Sequence, residues 1–278
     1  MKRFHADILL LSIALIWGLT FPLIKIALDY ISPLTFNSIR FFIATLLFLP
    51  FLFFNNNGSR RDILVGVKIG IAVFLGYTFQ TIGLELTTAT NAGFITSTYV
   101  VFTPLIAYLL FRHKVTKVEL LFLLTAFAGL YLLSEFTGKF NFGDFLILLC
   151  AIAFASEIVL ISHYSRLNDP TFLAFGQILA VAMFSTPLAL AIERKLHFSQ
   201  EVILALLITA VFATTLARIA QNKAQKFTRP SDAAIIFSME GVFSHLFAII
   251  MLGEVLSLTQ YIGAGMIVLS VIAISIYD

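Results

Sequence analysis

Residues 233–254 read AAIIFSMEGVFSHLFAIIMLGE. The stretch is apolar and long enough to cross a bilayer as a helix, which takes about 20 residues. Glu240 and His245 nevertheless stand inside it. At about 100° per residue, Ser238, Glu240, Gly241, Ser244 and His245 share one side. Ile236, Met239, Val242, Phe243 and Leu246 take the other. A membrane helix with such a wet face looks into a protein interior or a water-filled cavity.

The stretch has a counterpart earlier in the chain. Residues 92–113, AGFITSTYVVFTPLIAYLLFRH, lie beneath it without a gap at a shift of 141 positions. Thr96, Tyr99 and Thr103 form the polar face there. The same shift lays Gln80 under Gln221, Thr87 under Thr228 and residues 117–129 under 258–270. A shift of 137 positions brings Pro33 onto Pro170, Pro50 onto Pro187, Asp7 onto Asp144 and Arg40 onto Gln177. The chain reads as one unit written twice, residues 1–137 and 138–278, joined near 135–144.

Composition agrees. The 278 residues are 60% hydrophobic and 12% charged, with a mean hydropathy of +0.99, more apolar surface than a soluble fold of this size could hide. The net charge of +3 is therefore no nucleic-acid signal. The single Cys150 excludes an internal disulfide, gives no metal site and reads as a packing residue. No cofactor is expected.

Ten apolar spans follow in order, at about 6–28, 33–54, 63–86, 91–111, 118–133, 142–163, 170–192, 202–222, 233–254 and 258–276. The first follows a basic start but is too long for a cleaved signal and lacks a small-residue cleavage site, so it is expected to stay. With the N-terminus inside, Lys2, Arg3, Arg60, Arg61, Arg112, Lys114, Lys117, Arg166, Lys223, Lys226 and Arg229 face the cytoplasm. Only Lys139, Arg194 and Lys195 face out. The positive-inside rule then places both termini in the cytoplasm. Five spans per unit is odd, so the second unit enters upside down. Such an inverted repeat puts a substrate site near the midplane. The expected fold is all-α: a polytopic membrane protein of ten transmembrane helices as two inverted five-helix repeats.

This plan, with Trp17-Gly18 in the first span, Gly253-Glu254 after the ninth and GAGMIVLSV at 263–271 in the last, resembles the EamA-type drug/metabolite transporter superfamily. The resemblance covers nearly the whole chain. It implies a carrier of amino acids, other small metabolites or drugs, working mostly outward. Two departures stand out. Glu240-Gly241 replaces a frequent Glu-Pro and removes the proline that would kink the ninth span. Arg112-His113 replaces the Gly-Glu after the fourth span, which marks those positions as helix ends rather than a paired chemical site.

The polar residues within the spans are the candidate site. Arg40 either binds a substrate carboxylate, snorkels outward or bridges helices. Glu157 either pairs across helices, carries a proton or holds a substrate ammonium. Glu240 is the second deep carboxylate. Trp17 stands mid-span rather than at an interface, where Trp usually anchors, and is expected to wall the cavity with Tyr99. Tyr77 and Gln80 form the polar face of the third span. His245 is either a hydrogen-bonded interior histidine or a proton switch. Lys25, Arg218 and Gln221 are placed at the cavity rim, as gating or snorkelling groups. Gly66 and Gly70 read as a close-packing pair within the molecule.

The function these residues point to is secondary transport, by alternating access, of a small amphipathic metabolite, an amino acid or a relative, out of the cytoplasm. Cations toward the outer half, Lys25 and Arg40, and the deeper Glu157 and Glu240 would match a zwitterion. A drug or cation carrier of the same fold, an importer, or a non-transporting receptor are the alternatives. There is no HExxH, GxSxG, CxxC or Walker motif, so an enzyme is not expected. No nucleotide-binding domain follows, so primary pumping would need a partner. The expected setting is the plasma or inner membrane. The partners are lipid and a small-molecule substrate, with the protein working as a monomer and without nucleic acid.

Overall fold

The computed structural model describes residues 1–55, 58–133, 141–193, 195–253 and 257–277. Asn56, Asn57, Glu135, Lys139, Arg194 and Glu254 lie outside them, and so do the readings placed on them. The helices in order are α1 Arg3–Ala27, α2 Pro33–Phe53, α3 Arg60–Leu86, α4 Ala89–Ser97, α5 Tyr99–Phe111, α6 Lys117–Leu133, α7 Phe142–Tyr164, α8 Pro170–Ile192 and α9 Gln200–Ile208. A π-helical segment, Thr209–Leu216, leads into α10 Ala217–Gln225. The chain closes with α11 Pro230–Phe237, α12 Met239–Leu252 and α13 Leu258–Tyr277. Taking α4 with α5, α9 with α10 and α11 with α12, nine helices among the described residues are long and apolar enough to span a membrane. α6, with 17 described residues, is at the lower limit for a span.

Local chemistry sets the helix starts. Pro33 and Pro170 open α2 and α8 at the first position, where a missing N–H is no loss. Capping boxes start α3 (Ser59 with Asp62) and α7 (Asn141 with Asp144). Two more start α6 and α13. Thr116 exchanges bonds of 2.6 and 3.1 Å with Glu119, and Ser257 exchanges bonds of 2.9 and 3.3 Å with Gln260. These last two boxes stand 141 positions apart.

The ninth span is not one helix. It breaks at Ser238, and the fourth breaks at Thr98. No proline is needed. The Thr98 and Ser238 hydroxyls each donate to the carbonyl three residues back, Ile95 and Ile235, at 2.6 Å. Their backbone N–H groups reach the same carbonyls, so the turn tightens there. Tyr99 follows the first break directly, and Glu240 stands two residues after the second.

Small residues let the helices close up. A Cβ on Gly66 would lie 2.3 Å from the Leu173 carbonyl oxygen, and one on Gly70 would lie 2.5 Å from Ala180. The pair thus seats α3 on α8. α6 lies antiparallel along α13: Phe122 meets Tyr277 at 6.4 Å, and Gly129 meets the Gly263 carbonyl at the other end. α2 and α8 also run antiparallel, with Ser38 at 2.8 Å from Thr186 and Phe48 at 5.8 Å from Phe175. The outer surface is apolar, with Phe42, Leu109, Leu190 and Ile250 exposed, as lipid contact requires.

At the end where α1 meets α2, a strap joins the halves. Ile31 and Leu196 form an antiparallel bridge, and Ser32 N–H donates to the Lys195 carbonyl at 3.0 Å. The Glu193 carboxylate accepts from the Leu34 and Thr35 N–H groups at 3.0 and 2.7 Å, capping α2 from the other half. At the opposite end, a cleft of about 570 Å³ opens between Phe54, Asn55, Asp169, Thr171, Ile219 and Lys223.

Candidate functional site

One central cavity gathers side chains from seven spans. α1 brings Trp17 and Thr20, α2 Arg40, α3 Tyr77 and Gln80, and α5 Tyr99. α7 brings Phe154, Glu157 and Ile158, α10 brings Arg218 and Gln221, and α12 brings Glu240. The space open to water centres is about 20 Å³, enough for about one water molecule. α6, α8 and α13 stay outside it.

Two arginines and two glutamates are buried here. An isolated buried charge is expensive, so each should have a partner. Arg218 has several. It pairs with Glu157, donates to the side-chain Oε1 of Gln221 at 3.0 Å and donates to the Tyr77 hydroxyl at 3.0 Å. Gln221 also donates to Glu157 at 2.9 Å. Of the three readings for Glu157, the pair across helices is the one present in this geometry, and Arg218 is its partner. Arg218 and Gln221, placed at the rim from sequence, are in the cavity wall; Arg218 is only 1% exposed.

The other two charges are left over. Arg40 donates through Nε to Thr214 Oγ1 at 2.8 Å, and its guanidinium lies 4.7 Å from the Tyr77 ring and 5.3 Å from Phe41. Its Nη1 has no hydrogen-bond partner among the described residues. Glu240 accepts from the Tyr99 hydroxyl at 3.1 Å. Among the described residues no ion pair reaches either one.

Trp17 is held rather than loose. Its indole N–H donates to the Ala213 carbonyl at 2.9 Å, its ring lies 5.1 Å from Phe237, and Arg218 stands 5.5 Å from it. Gln80 reaches Thr96 at 3.4 Å. Two expected residues are elsewhere. Lys25 donates to the carbonyls of Leu84, Glu85 and Thr87 at 2.7–3.0 Å and so caps the end of α3. His245 Nδ1 lies 3.0 Å from Thr90 Oγ1, away from the cavity lining. Thr20, Phe154 and Ile158 were not foreseen. Thr20 stands one helical turn after Trp17, a legible signal. Phe154 is one of 30 Phe and carried none.

Two of the site's bonds join positions 141 apart, Tyr77 with Arg218 and Tyr99 with Glu240. The Asp144–Thr87 bond at 2.6 Å likewise has its counterpart in Thr228–Asp7 at 3.4 Å. Among the described residues no cluster of His, Cys, Asp and Glu is fit to hold a metal.

The model of the EamA-like transporter family matches the chain twice, over residues 5–135 and 141–276. The chain belongs to the EamA-like transporter family. It is a multi-pass membrane transporter. An uncharacterized transporter of Archaeoglobus fulgidus is 54% identical over 275 residues, covering 99% of this chain and 87% of that one. The uncharacterized transporter YyaM of Bacillus subtilis is 23% identical over 290 residues, covering 99% and 95%. A crystal structure 18% identical in sequence matches with a TM-score of 0.83 over 100% of both chains, a likeness of fold. In this EamA-like transporter Gly253, at the end of α12, is left-handed with φ 70°. Arg112, at the corresponding end of α5, is left-handed too, with φ 57°. That geometry is what a helix end asks for.

Proposed function

We propose that this EamA-like transporter carries a small zwitterionic solute, an amino acid or a close relative, out of the cytoplasm by alternating access. The observation that carries the reading is the pair of uncompensated charges on one cavity. Arg40 offers an unpartnered Nη1 to a carboxylate, and Glu240 offers its carboxylate to an ammonium. Each would gain the partner that burial demands. Trp17, Phe154 and Ile158 would pack an apolar side chain.

The cavity of about 20 Å³ is too small for leucine, so its walls must part and close for each solute. Two inverted units, residues 1–137 and 138–278, would allow this by rocking. The antiparallel packing of α6 on α13 and of α2 on α8, helices that correspond between the units, supports that plan. Lys and Arg placement supports cytoplasmic termini, and with them a plasma- or inner-membrane setting. In that orientation the strap at Ile31 and Leu196 closes the outer end. The cleft at Asn55 and Asp169 faces the cytoplasm, and its lining includes Ile219, the neighbour of Arg218. The protein works as a monomer, without ATP.

The test is competition for leucine exchange in liposomes holding the purified protein. Unlabelled leucine should compete fully. Isoamylamine, which lacks the carboxylate, and 4-methylpentanoate, which lacks the ammonium, should each compete at least about tenfold more weakly. Equal competition by all three would remove the zwitterion from the reading.

A further inference from the structure

Arg40 is long and could turn several ways; the Tyr77 and Phe41 rings flank its guanidinium, and Thr214 takes its Nε. Its Nε donates to Thr214 Oγ1 at 2.8 Å, and both residues are buried. Thr214 belongs to the π-helical segment Thr209–Leu216. Such widened turns are rare and recur at functional sites. The same segment also holds Trp17, through the Ala213 carbonyl at 2.9 Å. The segment is stitched by its own hydroxyls: Thr209 Oγ1 donates to Ala205 O at 2.6 Å, and Thr215 Oγ1 donates to Ala210 O at 2.8 Å.

The other half of the molecule supplies a comparison. Gln177 stands where Arg40 stands, at the shift of 137, and is satisfied internally. It donates to Asn222 at 3.0 Å and accepts from it at 3.3 Å. The counterpart of Thr214, at the shift of 141, is Val73, within the unbroken α3. The charge, the threonine that holds it and the widened turn therefore occur together, on one side only. Arg40 keeps Nη1 unpartnered, although it is buried against the cavity.

We propose that Thr214 is the positioning residue of a carboxylate subsite: presented by the π-helical turn, it occupies Nε of Arg40 and so leaves Nη1 for a carboxylate in the cavity. This rests on the zwitterion reading for the solute, though not for the subsite itself. Thr214 acts through Arg40 and does not line the cavity.

Trp17 is the only tryptophan, and it stands in the cavity wall, so its fluorescence reads occupancy there. The full-length purified protein is titrated with sodium acetate against sodium chloride, and separately with L-leucine. Both should change Trp17 emission saturably. Thr214→Val should raise the apparent Kd for each about tenfold, as expected for a lost bond to a charged group. Thr214→Ser, which restores the hydroxyl, should return it to within about twofold, a rescue that general loosening would not give. If Thr214→Val fails to fold, Thr214→Ala is read against Thr214→Ser in its place. No acetate response in the wild type, an acetate Kd unmoved by the loss of the hydroxyl, or no rescue by serine overturns the proposal. Acetate binding that depends on Thr214 without any response to leucine upholds the subsite and sinks the amino-acid reading. A leucine response with both Kd values indifferent to Thr214 does the reverse.

Discussion

Glu157 and Arg218 carry the cavity's internal balance. Both are almost fully buried, and each is the other's charge partner. Glu157→Gln would leave Arg218 uncompensated, and breaking a buried pair from one side costs about 3–5 kcal/mol. The melting temperature should fall markedly, and Glu157→Gln with Arg218→Gln should recover much of it. A single Glu157→Gln as stable as wild type, by thermal melting in detergent, would show that the pair is not structural. The partners stand 61 positions apart. Sequence offers periodicity within a helix and no means of matching one helix face to another. Glu157 was therefore legible as costly, and its partner was not. Trp17, Tyr99 and Glu240 were legible because a polar or mid-span aromatic group in an apolar run needs a reason. Lys25 shows what position alone leaves out. Its position near a helix end suggested a rim, but three backbone carbonyls of α3 and its C-terminal flank take its ammonium.

At the scale of elements, helix ends were readable and helix breaks were not. Prolines and capping residues announce a start. Thr98 and Ser238 look like any hydroxyl residue in a helix, and only the tightened turn makes them breaks. Arg112 gives a prediction about an end. It adopts φ 57°, which disfavours a side chain by roughly 1 kcal/mol. Arg112→Gly should therefore raise stability by about 0.5–1 kcal/mol, read as a small increase in melting temperature. A decrease would mean that Arg112's contact with the Tyr108 ring, at 5.3 Å, outweighs the backbone term. The strap is the second element with a consequence. Bridged residues in antiparallel backbone lie close enough for a disulfide. With Cys150→Ser as background, Ile31→Cys with Leu196→Cys should cross-link on oxidation and stop flux, and reduction should restore it. Undiminished flux in the cross-linked protein would show that this end never needs to open.

The whole molecule was the most legible scale. Gap-free correspondence over two spans, prolines in register and the capping residues at Thr116 and Ser257 all repeat at fixed shifts. What repetition hides is divergence. Arg40 and Gln177, or Thr214 and Val73, occupy matching places with different chemistry. One half holds the cation with the open Nη1, and the other contributes a carboxylate that no ion pair reaches among the described residues. Transport by these two charges is tested most directly by counterflow. Labelled leucine outside exchanges with unlabelled leucine inside liposomes that contain only the purified protein, with wild type beside Arg40→Gln and Glu240→Gln at matched folding. The prediction is exchange by the wild type without nucleotide, and a loss of roughly thirtyfold or more in each variant, the scale for removing one side of a buried charge pair. Wild-type exchange rates in either variant, or no exchange by the wild-type protein, would contradict it.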